Sequence, residues 1–219
     1  MARFGPFLLW LGLLIGAWSL LWVGHEAAAA RFGLRFTRDL DTVLWTLAKV
    51  GLWLLPVAAL IRREGGPPLP AYLGLDHLRG VGIAAVASLV WIAVNCPPPA
   101  RAAPFDLALA SALLVAPLFE EVVFRGWALH HLCRRGVHFL MANLATALAF
   151  ALLHVPGWVA AGMSAEVALR QGGGVVALGL GLGFLRRGRS LWGPILLHLT
   201  NNLLSEGLIG AALDAATGP

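Results

Sequence analysis

Leu107 to Arg135 reads LALASALLVAPLFEEVVFRGWALHHLCRR, an apolar run closed by two arginines. It exceeds the roughly 20 residues that a spanning helix needs. Inside it stand Glu120, Glu121 and Arg125. A charge within a bilayer costs at least about 2.5 kcal/mol on insertion scales, so each needs a partner or a function. Glu121 and Arg125 are four apart, share a helix face and can pair. Glu120 lies about 100° around the helix, so it need not share that partner and is available for chemistry.

The rest of the chain has the same solvent in mind. Of 219 residues, 59% are hydrophobic and 12% charged, about half the charged share of a soluble domain. So few charges cannot coat a water-facing surface, and nine Trp with ten Phe oppose disorder. Seven apolar runs are expected to be helices, at about 5–24, 42–61, 80–97, 106–132, 138–158, 171–186 and 190–210. The sequence therefore predicts an all-α polytopic membrane bundle of seven or eight transmembrane helices. It forms a single integral-membrane domain over 1–219, with the reactive core in 106–210. Gly65-Gly66-Pro67-Pro68 and Cys96-Pro97-Pro98-Pro99 mark turns at the interface. Cys96 and Cys133 are not a predicted pair. The first run begins near Arg3 and precedes Ala27-Ala28-Ala29-Ala30, which resembles a cleavage site; its core approaches 20 residues, longer than a signal peptide's roughly 7–15. A retained helix is expected, with the 25–41 connection lying along the interface. The glycines at 172, 173, 174, 179, 181 and 183 are expected to permit close helix packing.

A net charge of +5 could suggest nucleic acid, but the arginines stand in connections between apolar runs, where topology accounts for them. With the N-terminus cytoplasmic, the inner side receives Arg3, Arg62, Arg63, Arg79, Arg134, Arg135, Arg186, Arg187 and Arg189. The outer side receives Arg31, Arg35, Arg38, Arg101 and Arg170. The expected location is a prokaryotic inner membrane, N-terminus inside, with lipid rather than nucleic acid as the partner.

Other polar groups interrupt the runs: His154 in the fifth, His198, Asn201 and Asn202 in the seventh, and Lys49 in the second. Counted from the turns at 133–137 and 186–189, Glu120, His154, His198 and Asn202 lie roughly 12 to 24 Å deep at 1.5 Å per residue. Convergence at similar depth is what a buried site requires. A carboxylate in apolar surroundings suits a general base on water, with a histidine to share or position that water's proton. A second histidine and an amide suit an oxyanion. Two histidines and a glutamate could instead hold Zn²⁺. Both readings end in an activated water. Lys49 is expected to partner a carboxylate or to snorkel. His130, His131, Cys133 and His138 are read as an interfacial turn. Neither HExxH nor a presenilin-type Gly-x-Gly-Asp occurs. A non-catalytic membrane protein that binds peptide or lipid through the same cluster is the rival reading.

Three motifs resemble the CPBP family of intramembrane proteases, which joins CAAX prenyl proteases and bacteriocin-processing enzymes and is also called Abi. EExxxR stands as Glu120-Glu121-Val122-Val123-Phe124-Arg125, FxxxH as Phe150 to His154, and HxxxN as His198 to Asn202. The resemblance implies an intramembrane endopeptidase acting on a membrane-associated peptide or protein, prenylated or not. It implies that Glu120 and His154 activate water, that His198 and Asn202 stabilise the oxyanion, and that Glu121 and Arg125 support them. A glutamate-type version has no metal; a metal-dependent one would use Glu120, His154 and His198, with zinc the candidate.

Overall fold

The computed structural model describes residues 5–33, 37–64, 69–75, 78, 80–95, 106–187 and 190–208. Cys96, the 65–68 and 96–105 turns, residues 209–210, and Arg3, Arg35, Arg79, Arg101 and Arg189 of the charge count lie outside them. The chain is a polytopic all-helical membrane bundle. Its helices are α1 (Gly5–Phe32), α2 (Arg38–Arg63), α3 (Leu69–Leu73), α4 (Val81–Asn95), α5 (Leu107–Arg134), α6 (Phe139–Leu152), α7 (Val155–Ala160), α8 (Ala165–Arg186) and α9 (Trp192–Ser205). Among the described residues, five helical segments are long and apolar enough to cross a membrane: α1, α2, α5, α6 with α7, and α8. The other two predicted runs form the shorter α4, of 15 residues, and α9, of 14, which at 1.5 Å per residue fall short of a core about 30 Å thick. They pack on each other, with Thr200 donating to Ser88 at 3.1 Å and Trp91 to Asn201 at 3.2 Å.

Most of the 25–41 stretch is helix rather than connection. Alanines 27–30 are the strongest helix formers, so α1 continues to Phe32 and ends at Gly33, whose φ of +62° closes the helix. Four residues on, Thr37 accepts from the Leu40 N–H and caps α2. Arg31 and Arg38 thus belong to helix ends, and Arg38 pairs with Asp106 at 2.8 Å.

Two prolines shape the helices that carry the site. Pro56 and Pro117 lack an N–H, and their rings would strike the carbonyl four residues back. Each follows a widened π-helical turn, Val50–Leu54 in α2 and Ser111–Val115 in α5, the usual way for a helix to absorb such a misfit. A third π-helical stretch, Val122–Ala128, follows the glutamates, and every residue in it is buried. α5 is therefore the centre of the bundle. Trp127 meets Trp10 of α1 at 4.7 Å between rings, and Phe124 meets Trp53 of α2 and Phe150 of α6 at 6.4 and 5.2 Å.

Close packing explains some glycines of α8 and not others. A Cβ on Gly179 would come within 3.0 Å of Ala147 Cβ, and one on Gly183 would overlap the Asn143 side chain. At Gly173, Gly174 and Gly181 it would meet nothing within 4 Å. Gly183→Ala should therefore separate α8 from α6, break the bond from Asn143 to the Leu180 carbonyl and destabilise the protein by about 1–3 kcal/mol, the usual cost of overpacking. Gly181→Ala is the control expected to be neutral in the same thermal unfolding measurement in detergent.

Candidate active site

Glu120 and Glu121 end the regular part of α5 before its π-helical stretch, both buried. Their partners differ. Lys49 of α2 donates to Glu120 Oε1 at 2.8 Å, a charge-assisted bond. Glu121 Oε1 accepts from Arg125 Nη1 at 3.1 Å and from His198 Nδ1 at 2.8 Å. Arg125 also donates from Nη2 to the Gly179 carbonyl at 3.1 Å and lies over the Phe150 ring at 4.6 Å. Both members of the Glu121–Arg125 pair are completely buried, so the expected pair is present. It also holds an imidazole, which the pairing alone did not reveal. His198 is suspended between the carboxylates, with Nε2 3.7 Å from Glu120 Oε2, beyond hydrogen-bond distance.

His154 is set by a helix break. Pro156 lies two residues beyond it, and α6 ends at Leu152. The His154 N–H then reaches the Ala151 carbonyl, while its ring Nδ1 donates to the Phe150 carbonyl at 2.9 Å. A carbonyl only accepts, so in the neutral ring Nε2 carries the lone pair. This is the physical content of the FxxxH spacing. Phe150 does more: its ring packs edge-on against His154 at 4.9 Å and His198 at 5.7 Å. Sequence reasoning gave Phe150 no role, although its spacing from His154 was the available signal.

Glu120, His154 and Lys49 line one cavity of about 340 Å³, walled by Trp18, Trp22, Trp45, Trp53 and Trp158. The tryptophans lean on one another, Trp22 stacking on Trp45 at 4.2 Å and Trp18 meeting Trp53 at 5.0 Å. This aromatic wall was not foreseen. Asn202 is placed differently: its Nδ2 donates to the Ala112 carbonyl at 2.7 Å, and its Oδ1 accepts from Asn201 at 3.3 Å. It is tied to α5 two turns before Glu120 and does not line the cavity that holds Glu120 and His154. Of the four predicted residues, Glu120 and His154 share the cavity, His198 reaches them from behind through Phe150 and the 3.7 Å approach to Glu120, and Asn202 stands apart. Lys49 is a carboxylate's partner, and that carboxylate is Glu120.

The donor set does not fit a metal as placed. Among the described residues, no three His, Cys, Asp or Glu side chains are gathered as a metal-holding group. The Lys49 ammonium, bonded to Glu120 Oε1, also puts a positive charge beside the carboxylate that would have to be a ligand. Near the end of α5, His131 and Glu64 hydrogen-bond to each other at 2.5 Å.

The Rce1-like family, described as type II CAAX prenyl endopeptidase Rce1-like, matches residues 102–204, just under half of the chain. Those residues are similar to that family. No curated protein and no solved structure matches the chain. The chain is an integral membrane protein, and its residues 102–204 are similar to type II CAAX prenyl endopeptidases. The Rce1-like segment holds Glu120, Glu121, Arg125, His154, His198 and Asn202. Lys49 and four tryptophans of the cavity wall come from α1 and α2, ahead of that segment.

Proposed function

We propose that the protein hydrolyses a peptide bond of a membrane-associated polypeptide, using a water activated by Glu120 and His154 without a metal. The observation that carries this reading is the shared cavity, in which a buried carboxylate and an imidazole with a free Nε2 lone pair face one apolar space. Lys49 occupies Glu120 Oε1, so Oε2 is the oxygen left to take a proton. Water attacks the carbonyl carbon while its proton passes to Oε2, and His154 Nε2 orients the water. The new oxyanion is met by His198, whose Nε2 lies 3.7 Å from Glu120 Oε2, while Asn202, outside the cavity, holds α9 against the Ala112 carbonyl of α5. The C–N bond then breaks, and the proton held by Glu120 passes to the departing amine. The tryptophan wall suits an apolar group on the substrate, whether lipid or side chain. The membrane proposed is a prokaryotic inner membrane with the N-terminus cytoplasmic. This places Arg62, Arg63, Arg134, Arg135, Arg186 and Arg187 inside.

The test is a cleavage assay on the purified protein with membrane-bound peptides, prenylated and unmodified, products being identified by mass. Cleavage at one bond is expected, unchanged after treatment with a zinc chelator. Activity lost to the chelator and restored by Zn²⁺ would overturn the metal-free mechanism. Tight peptide binding with no cleavage of any peptide would favour a binding protein instead.

A further inference from the structure

A second cavity, of about 500 Å³, lies at the opposite, arginine-rich end of the bundle. Tyr72, Arg125, His130, Arg186 and Arg187 line it, and among the described residues no carboxylate does. α2, α5 and α8 all finish at this end, in Arg62-Arg63, Arg134-Arg135 and Arg186-Arg187. The nearby Glu64 is hydrogen-bonded to His131.

Two donors in this lining are buried without a partner among the described residues: the Tyr72 hydroxyl and Arg125 Nε. Tyr72 is 5% exposed and Arg125 0%. A buried donor left unbonded costs about 1–3 kcal/mol, so two of them beside one cavity point to an acceptor that enters it. Burial, reinforced by Glu64 and opposed by Arg134 and Arg186, pushes the Tyr72 hydroxyl up to about 12, so it remains a donor at physiological pH. Arg187 lies over the Phe139 ring at 4.8 Å, at the rim. The Arg186 guanidinium spans the cavity's two sides, donating to the Arg125 and Tyr72 carbonyls, each at 3.3 Å.

We infer that this cavity is a binding site for a phosphate group, held by Tyr72, Arg125, Arg186 and Arg187 and distinct from the carboxylate and imidazole cavity. Guanidinium forks match phosphate oxygens in pairs, and basic pockets between membrane helices take anionic headgroups. The phosphate belongs either to a phospholipid headgroup or to a small soluble phosphate. Arg125 links the two cavities, because the same guanidinium pins Glu121, which pins His198. An occupant would therefore brace the reactive site from behind.

The experiment needs no cleavage. Thermal unfolding of the full chain in neutral detergent is followed with added phosphatidylglycerol, phosphatidylcholine, inorganic phosphate and, as ionic-strength control, sodium chloride. Wild type, Tyr72→Phe and Arg187→Gln are compared. Stabilisation by phosphatidylglycerol alone identifies a headgroup; equal stabilisation by inorganic phosphate identifies a free phosphate. In either case apparent affinity should fall about tenfold or more in Tyr72→Phe, which keeps the ring and removes one bond to a charged acceptor. Stabilisation no greater than that by chloride, or identical affinities in wild type and both variants, would overturn the assignment.

Discussion

Glu120→Gln should lower turnover of a cleavable peptide on the order of 10³-fold, the scale of a lost general base. Glutamine has almost the same shape, and its carbonyl can still accept from Lys49. What it cannot do is take the water's proton. The loss should therefore appear in kcat, with KM little changed, because the tryptophan wall that would hold the substrate is untouched. Lys49→Met separates holding from reacting. It removes the 2.8 Å bond to Oε1 and leaves the base in place but unanchored, so its activity should fall less than that of Glu120→Gln. Both variants need an unfolding curve beside the rate, since each leaves one partner of a buried pair unmatched. A Glu120→Gln protein cleaving within tenfold of wild type would remove this carboxylate from the reaction.

The second large effect concerns Glu121 and Arg125, and it should be seen first in stability. Arg125→Met leaves a completely buried carboxylate with His198 as its remaining bonded partner. Breaking a buried ion pair from one side costs about 3–5 kcal/mol. It also removes the bond to the Gly179 carbonyl and the stacking on Phe150. The double variant Glu121→Gln with Arg125→Met should be markedly more stable than the sum of the single losses predicts, because no charge is left stranded. Catalysis should not return with it, as His198 loses the anion that orients Nδ1. Denaturant unfolding of the two singles and the double completes the cycle. Additive losses would mean that the pair does not act as a unit.

What could be read from the residues was what local spacing encodes. The pairing of Glu121 with Arg125 follows from four-residue spacing within one helix, and seven apolar runs follow from hydropathy. Lys49 was legible as half of a statement: a lone ammonium in an apolar run needs an anion, but which of several carboxylates depends on how α2 packs on α5. The tryptophan wall was hidden for the same reason, since Trp18 and Trp45 stand on different helices and meet only in the fold, with rings 5.2 Å apart. Depth counting assumed regular helices. Turns widened before Pro56 and Pro117 and a break before Pro156 alter the register in the three places that carry Lys49, Glu120 and His154. The tie of Asn202 to the Ala112 carbonyl was invisible because a backbone acceptor leaves no mark in a sequence.

The partition of the cavity between its two sources has an evolutionary consequence. The groups proposed to do the chemistry stand on α5, at the break between α6 and α7 and on α9, whereas four tryptophans of the facing wall stand on α1 and α2. Provided Lys49 keeps its hold on Glu120, selection can therefore change the tryptophans of the front two helices, and with them the choice of guest, without changing the reacting groups. Chimaeras that exchange this front between related proteins should carry preference along with it.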